Sequence, residues 1–384
     1  MDDPFNLPPD VLGRIPLFAE LAKVLSWKSG PINWDLARQV AVSLAAGDQP
    51  SRTPDEADHA AIAQSVRLAE LWLQESAALP APSHLLTARA ASRQDWAEHS
   101  CSALAELVDP VAAKAAQATS VENLPLPDGM GGVGAALGQM APMFMGVQAG
   151  TMLGTLAREV TGVHELGMPT AEADLLLVID TIDDFARGYD LDPVVTRQWI
   201  ALRAAAMRMI FEGFPLARGQ FFSLYHNYVA SLSFDLSDAI GRLQSMDLSD
   251  PSKLQEAFGD EGLLAPKQSP GSVAAAARVS TLTMVVEAHV NEAVTAAGAH
   301  AGDVGRLAEA YARHSVEQGR GAQMFGSFIG LEPANSRRAA SDFVRTVIAA
   351  RGFAGLNTIW DEPDAFPTDT EIDEPSGWLE RVER

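Results

Sequence analysis

Asp192-Pro193-Val194-Val195-Thr196-Arg197-Gln198-Trp199-Ile200-Ala201-Leu202-Arg203-Ala204-Ala205-Ala206-Met207-Arg208 lies in the middle of a 384-residue chain, and its reading decides the fold. Asp192 followed by Pro193 is a helix start with a mechanism. The carboxylate can accept from the first free N–H groups, and proline at the first helical position lacks an N–H that would go unpaired anyway. The helix runs until Phe214-Pro215. From Trp199 to Arg208 it holds no His, Glu or Cys, so on its own it offers no chemistry.

Working outward, the flanks are helical too. Upstream, Leu175–Ile179 is short, continuously apolar and the clearest strand candidate. Before it, Gly134, Gly138, Gly146, Gly150 and Gly154 recur every four residues, with Pro142 in the missing place. That spacing makes a ridge of small residues on one helix face, which lets a neighbouring backbone come close. Met130, Met140, Met143, Met145 and Met152 read as gap-filling core side chains. Nearer the N-terminus, helices are predicted over 10–27, from Asn33 as N-cap through Leu44, over about 55–78 with Ile62, Val66, Ala69 and Leu73 on one face (Leu68, Leu71 and Trp72 widening it), and from Ser92 to near Asp109-Pro110. Downstream, helices are predicted over about 216–245, 272–297, 303–318 and 336–350, with loops around 247–271. Trp360, Phe366 and Trp378 predict that the acidic tail lies against the body. Residues 119–133, rich in Pro and Gly, mark a boundary between an N-terminal helical region, 1–118, and a core, 119–384, that can also be one continuous domain.

Composition sets the outer limits. With 50 acidic and 28 basic residues the formal charge is −22. That charge repels phosphate backbones and anionic lipid, which argues against nucleic-acid and membrane partners. The single Cys101 excludes an internal disulfide framework and fits a reducing cytoplasm. The uncharged run 129–157 is long enough to raise the question of a membrane span, but Pro142, Gln139, Gln148 and the glycines favour a buried helix.

Few residues point to chemistry. Gly129-Met130-Gly131-Gly132-Val133-Gly134 resembles a phosphate loop, but no strand precedes it and no Lys-Ser/Thr pair follows. Cys101 and His99 are two apart on a helix and diverge. His59, His84, His99, His164, His300 and His314 read as loop or polar-face residues, whereas His226 and His289 fall inside helices. Glu287 and His289, also two apart, point about 200° from each other and cannot easily chelate one ion.

Several stretches, in order, carry a resemblance: Gly30-Pro31-Ile32-Asn33-Trp34-Asp35-Leu36-Ala37-Arg38, Arg67-Leu68-Ala69-Glu70-Leu71-Trp72-Leu73, the glycine helix, the 175–179 strand, Arg351-Gly352 and Trp360-Asp361-Glu362-Pro363-Asp364. Taken together, the chain resembles the actinobacterial zincin-like family of zinc-dependent metalloproteases or hydrolases, some of them linked to coenzyme F420 biosynthesis. The resemblance implies a mainly α fold with a minor β element. It also implies a helix reading Trp-x-x-Leu-His-Glu-x-x-His, with two zinc-binding His residues and a general-base Glu. Here Trp199 and Leu202 match, but the ligand positions hold Arg203 and Met207 and the base position holds Ala204. A guanidinium has no lone pair to give, alanine takes no proton, and a lone thioether is a poor zinc ligand. The resemblance also implies that Glu287 matches a third ligand, which leaves Glu287, His289 and Trp199 as the remnant of a cleft.

Two readings of Arg203 follow. It pairs with Glu287 in place of a metal, because a carboxylate stripped of its cation needs a partner; or it is a surface residue reaching solvent. The expectation for the whole chain is a catalytically degenerate, cytoplasmic zincin-like protein with no cofactor, binding a protein or peptide partner. The alternatives are an active metal-dependent hydrolase with an unconventional site on His226, His289, Glu287 or Glu292, and a helical partner protein whose glycine ridge packs on another chain.

Overall fold

The computed structural model describes residues 30–47, 51–82, 87–118, 131–162, 166–170, 174–234, 266–267, 269–298, 303–331 and 337–382. In chain order the elements are α1 (Trp34–Ala46), α2 (Glu56–Ala77), β1 (Ala88–Ala91), α3 (Arg93–Ala103), α4 (Ala105–Ala118), α5 (Gly131–Ala157), β2 (Leu175–Val178) and α6 (Ile179–Gly188). Then follow α7 (Pro193–Arg208), a π-helical turn (Met209–Gly213), α8 (Ala217–Ser231), β3 (Ser233–Phe234), β4 (Pro266–Lys267), α9 (Pro270–Ala297), α10 (Val304–Glu317) and α11 (Arg320–Ile329). The chain closes with α12 (Arg337–Asp361), α13 (Asp369–Asp373) and α14 (Pro375–Val382). The fold is mainly α with a minor β element.

The helix starts follow from their caps. Asp192 accepts from the N–H groups of Val194 and Val195 at 2.9 Å each, and Pro193 opens α7. Asn33, itself buried, accepts from the Leu36 N–H at 3.0 Å. Ser92 and Asp95 form a reciprocal capping box on α3, which satisfies two free donors at once. Ile62, Val66, Ala69 and Leu73 bury one face of α2 as their spacing requires, but Leu71 is 61% exposed and does not widen that stripe.

The glycine ridge has its partner inside the same chain. An added Cβ at Gly146 would stand 2.6 Å from the Asn33 carbonyl oxygen, at Gly150 2.5 Å from that of Ala37, and at Gly154 2.8 Å from that of Ala41. The facing side of α1 is equally small, with Ala37, Ala41 and Ala45 buried. Each interior glycine costs about 1 kcal/mol of helix propensity, and backbone-to-backbone packing along two turns is what offsets it. The described ridge therefore seals α5 to α1 rather than offering a face to another chain.

β2 pairs in parallel with β1, Ala88 opposite Leu175 through Ala91 opposite Val178. All four β2 side chains are buried, which explains their unbroken apolar run. β1 has no such signature, and its alanines are compatible with helix, so only the pairing with β2 reveals it. Other boundaries differ from the sequence reading. The helix begun at Ser92 breaks at Leu104, and α4 then carries Pro110 inside it. The helix predicted to 245 ends at Ser231, where the chain turns into β3 paired with β4. Ile179 belongs to α6 rather than to the strand. α11 was not anticipated, and α12 runs on to Asp361 across a break at Gly352, whose φ of +68° suits a residue without Cβ. The helix predicted over 10–27 lies outside the described residues, as do 119–130 of the predicted 119–133 boundary and most of the loops predicted around 247–271; of the rest, 131–133 open α5, 266–267 form β4 and Pro270 starts α9.

One buried core runs from Ile32 to Trp378. At its centre lies α9, against α2, α7, α8 and α12. It is also the one described helix long and apolar enough to cross a membrane, which is what a central core helix of this length looks like. At the end of α7 the Arg208 guanidinium is 2% exposed, with Glu70 and Glu212 carboxylates at 3.8 and 3.6 Å; a cation so buried needs such neighbours. The tail packs as Trp360, Phe366 and Trp378 predict: Trp378 is fully buried and donates to the Ala365 carbonyl at 2.6 Å.

Glu371 fastens that tail. Its carboxylate takes the Arg381 guanidinium at 2.6 Å and the Thr368 N–H at 2.8 Å. The Arg381 bond first, then the Thr368 bonds, outweigh burial and draw its pKa from 4.5 down to about 2. A carboxylate depressed in the folded state stabilises fully above its unfolded pKa, and that stability is lost as pH falls through the folded value. Amide protection of α13 and α14 is therefore expected to fall between about pH 4.5 and about pH 2. Hydrogen exchange of Glu371→Gln should show weaker protection at neutral pH and little further change across that window; an unchanged acid response in the variant would count against this role.

Candidate functional site

Of the positions singled out in α7, Trp199 and Arg203 lie on the wall of a cleft of about 510 Å³ formed with α9, α10 and the end of α5. Trp199 and Arg203 face it from α7, Glu287 and Asn291 from α9, Tyr311 and His314 from α10, and Glu159 from the residues after α5. Helical spacing explains the grouping. Trp199 and Arg203 are four apart, as are Glu287 and Asn291, so each pair shares a face.

Arg203 does not reach into solvent. Its side chain is 12% exposed and its Nη2 donates to Glu287 Oε2 at 3.0 Å, while Nη1 donates to Asn291 Oδ1 at 2.5 Å. The guanidinium carbon sits 4.5 Å from the Tyr311 ring centroid and 5.4 Å from that of Trp199. Trp199 and Tyr311 meet edge-on at 5.2 Å. Each cation–π contact contributes on the order of 0.5–1 kcal/mol, and the charge-assisted bonds add direction. Arg203 thus cross-links three helices at the back of the cleft.

Behind it, Ala204 and Met207 are buried and border a void of about 20 Å³, together with Ile200, Leu177, Thr161 and Gly162. Met207 presents a thioether among apolar neighbours, and Ala204 has no group to accept a proton. The zinc set that the resemblance implies does not fit this pocket, because a cation already occupies the approach to Glu287 and neither α7 ligand position supplies a lone pair suited to zinc. Among the described residues, no group of three or more His, Cys, Asp or Glu side chains gathers to hold a metal ion.

His289 does not join Glu287 in the cleft. It points the other way into the core, fully buried, and its Nδ1 accepts from the Trp360 Nε1–H at 3.0 Å. Burial pushes its pKa down to about 3, so it is a neutral core side chain. Two-residue spacing on a helix dictates this divergence. His226 lies exposed on α8, and Glu292 is held at the cleft edge by Arg345 at 2.7 Å. His314, read from the sequence as a loop or polar-face residue, packs its ring 5.1 Å from Phe185 on the cleft side of α10, where burial lowers its pKa. Cys101 is buried with its thiol pushed up to about 11, which leaves it unreactive. Sequence reasoning missed Asn291 and Tyr311. Asn291 carried a signal, since it stands one turn beyond Glu287; Tyr311 carried none, because only packing brings α10 against α7.

Comparison with solved structures finds a protein from Chloroflexus aurantiacus, described as a "putative hydrolase with a novel fold". The two share 20% identity over 92% of this chain and 99% of that one, with a TM-score of 0.67, a likeness of fold alone. No curated protein matches the chain. A family model described as zincin-like metallopeptidase matches residues 32–379, which takes in the cleft and every helix that lines it. On that match, the chain belongs to the zincin-like metallopeptidase family.

Proposed function

We propose that this chain is a catalytically degenerate zincin-like protein that binds a protein or peptide partner in its cleft without hydrolysing it. The observation that carries the reading is the 3.0 Å pair between Arg203 and Glu287. At the position where the resemblance implies a zinc-binding His there is a fixed cation, and next to it Ala204 stands where a general base would be. Peptide hydrolysis by such a site needs an activated water, and no side chain around Arg203 supplies a base in the implied place. The cleft itself persists, with polar groups on α9 and aromatic and Met side chains opposite, as a binding site requires. The single cysteine and the acidic surface support a cytoplasmic setting.

Metal content tests the reading directly. Protein purified without chelators is expected to carry no stoichiometric zinc by plasma mass spectrometry. One zinc per chain, lost in Glu287→Gln, would replace this reading with that of a metal-dependent hydrolase using an unconventional ligand set.

A further inference from the structure

We propose that Arg203 is a positioning residue, and that the two groups it orients, Glu287 Oε1 and Asn291 Nδ2, recognise the main chain of an extended peptide. The inference rests on the reading above that the cleft holds its partner without cutting it. A guanidinium only donates, so it must meet the oxygen of the Asn291 amide and the oxygen of a carboxylate. Nη1 takes Asn291 Oδ1 and Nη2 takes Glu287 Oε2. The remaining valences are thereby decided: the Asn291 Nδ2 donor and the Glu287 Oε1 acceptor are the atoms left over, and neither has a hydrogen-bond partner among the described residues.

These two atoms belong to residues one helical turn apart on α9, both lining the cleft. Both are reachable, since Asn291 is exposed and the Glu287 side chain is 33% exposed. Gly167 lies beside the acceptor without a side chain: a Cβ there would stand 3.7 Å from Glu287 Oε1, an ordinary contact, and the residue's φ of +67° disfavours any side chain.

A donor next to an acceptor selects its ligand by charge. A carboxylate meets the Glu287 charge, and an ammonium meets the Arg203 charge and the Asn291 donor. A neutral amide backbone meets neither penalty. In an extended chain one residue offers its N–H and C=O along the same edge, as in an antiparallel strand pair. The N–H donates to Glu287 Oε1 and the C=O accepts from Asn291 Nδ2, so capture is by main chain, with Met168, Met284 and Tyr311 left to contact side chains.

The test uses the full chain with N-acetylated, C-amidated tetraalanine as probe, in saturation-transfer NMR and calorimetry, with propionamide and maltotriose as comparison ligands. The blocked peptide is expected to bind and the other two to fail to displace it. Asn291→Asp, which turns the donor into an acceptor at an exposed site, is expected to weaken binding about tenfold. Arg203→Lys, which keeps the charge but cannot hold both oxygens, should weaken it similarly in protein that still melts cooperatively. Absence of peptide binding, equal binding by Asn291→Asp, or displacement by propionamide would each overturn the proposal; the last would point to a primary amide instead. Mass spectrometry of the recovered peptide separates the two readings. Intact peptide agrees with both, whereas bound but cleaved peptide refutes the non-catalytic reading and leaves main-chain recognition standing.

Discussion

A chain carrying Arg203→His, Ala204→Glu and Met207→His together is expected to take up one zinc ion. The two imidazoles would stand one turn apart on α7, the spacing at which helical side chains converge. Glu287 already lies 3.0 Å from the atom that the first substitution removes, so a carboxylate is in reach of the new ligand. The void beside Ala204 and Met207 gives the larger side chains part of the room they need. Because His must be deprotonated to bind, uptake should weaken as pH falls below about 6.5. Arg203→His alone should not suffice, as it leaves a thioether and one carboxylate. A folded triple variant that binds no zinc by equilibrium dialysis would mean that α7 and α9 are not placed as a metal site needs, and that the loss goes deeper than three side chains.

Gly150→Leu is expected to damage the fold severely. A Cβ there meets the Ala37 carbonyl oxygen at 2.5 Å and Val40 Cβ at 2.7 Å, and the nearer contact is with backbone that cannot swing aside. Overpacking of this kind costs about 3 kcal/mol or more, enough to lower the denaturation midpoint clearly. Val147→Leu, on the exposed side of the same helix at 42% exposure, is the matched control and should leave stability unchanged. Equal midpoints for the two variants would show that the α1–α5 contact can open without cost. Since the ridge faces α1 of its own chain, a change of oligomeric mass is not the expected readout.

Much of the architecture was legible in local chemistry. Asp192-Pro193, Asn33 and Ser92 announce helix starts because their side chains or missing N–H groups suit those positions and no others nearby. The unbroken Leu175–Ile179 run announced a strand, one residue longer than β2 proves to be. What escaped were features that owe their conformation to distant partners. β1 is three alanines and Arg89, which become a strand only by pairing with β2, and α10 becomes a cleft wall only by lying across α7. The break after Ala103 and the early end of α8 at Ser231 escaped for the same reason, since propensity there permits a longer helix than the packing leaves room for.

The candidate site divides along the same line. The sequence by itself determined which side chains α7 presents on one face, and hence that Arg203 and Met207 share it while Ala204 brings no base; helical period and side-chain chemistry suffice for that. It likewise determined that Glu287 and His289 part company. Tertiary structure alone decided where each then went: Glu287 to Arg203, His289 to the Trp360 indole, and Asn291 to a place beside the guanidinium. The physical reason is that a helix's period orders its own side chains, whereas the helix that each face meets is chosen by close packing over the whole core.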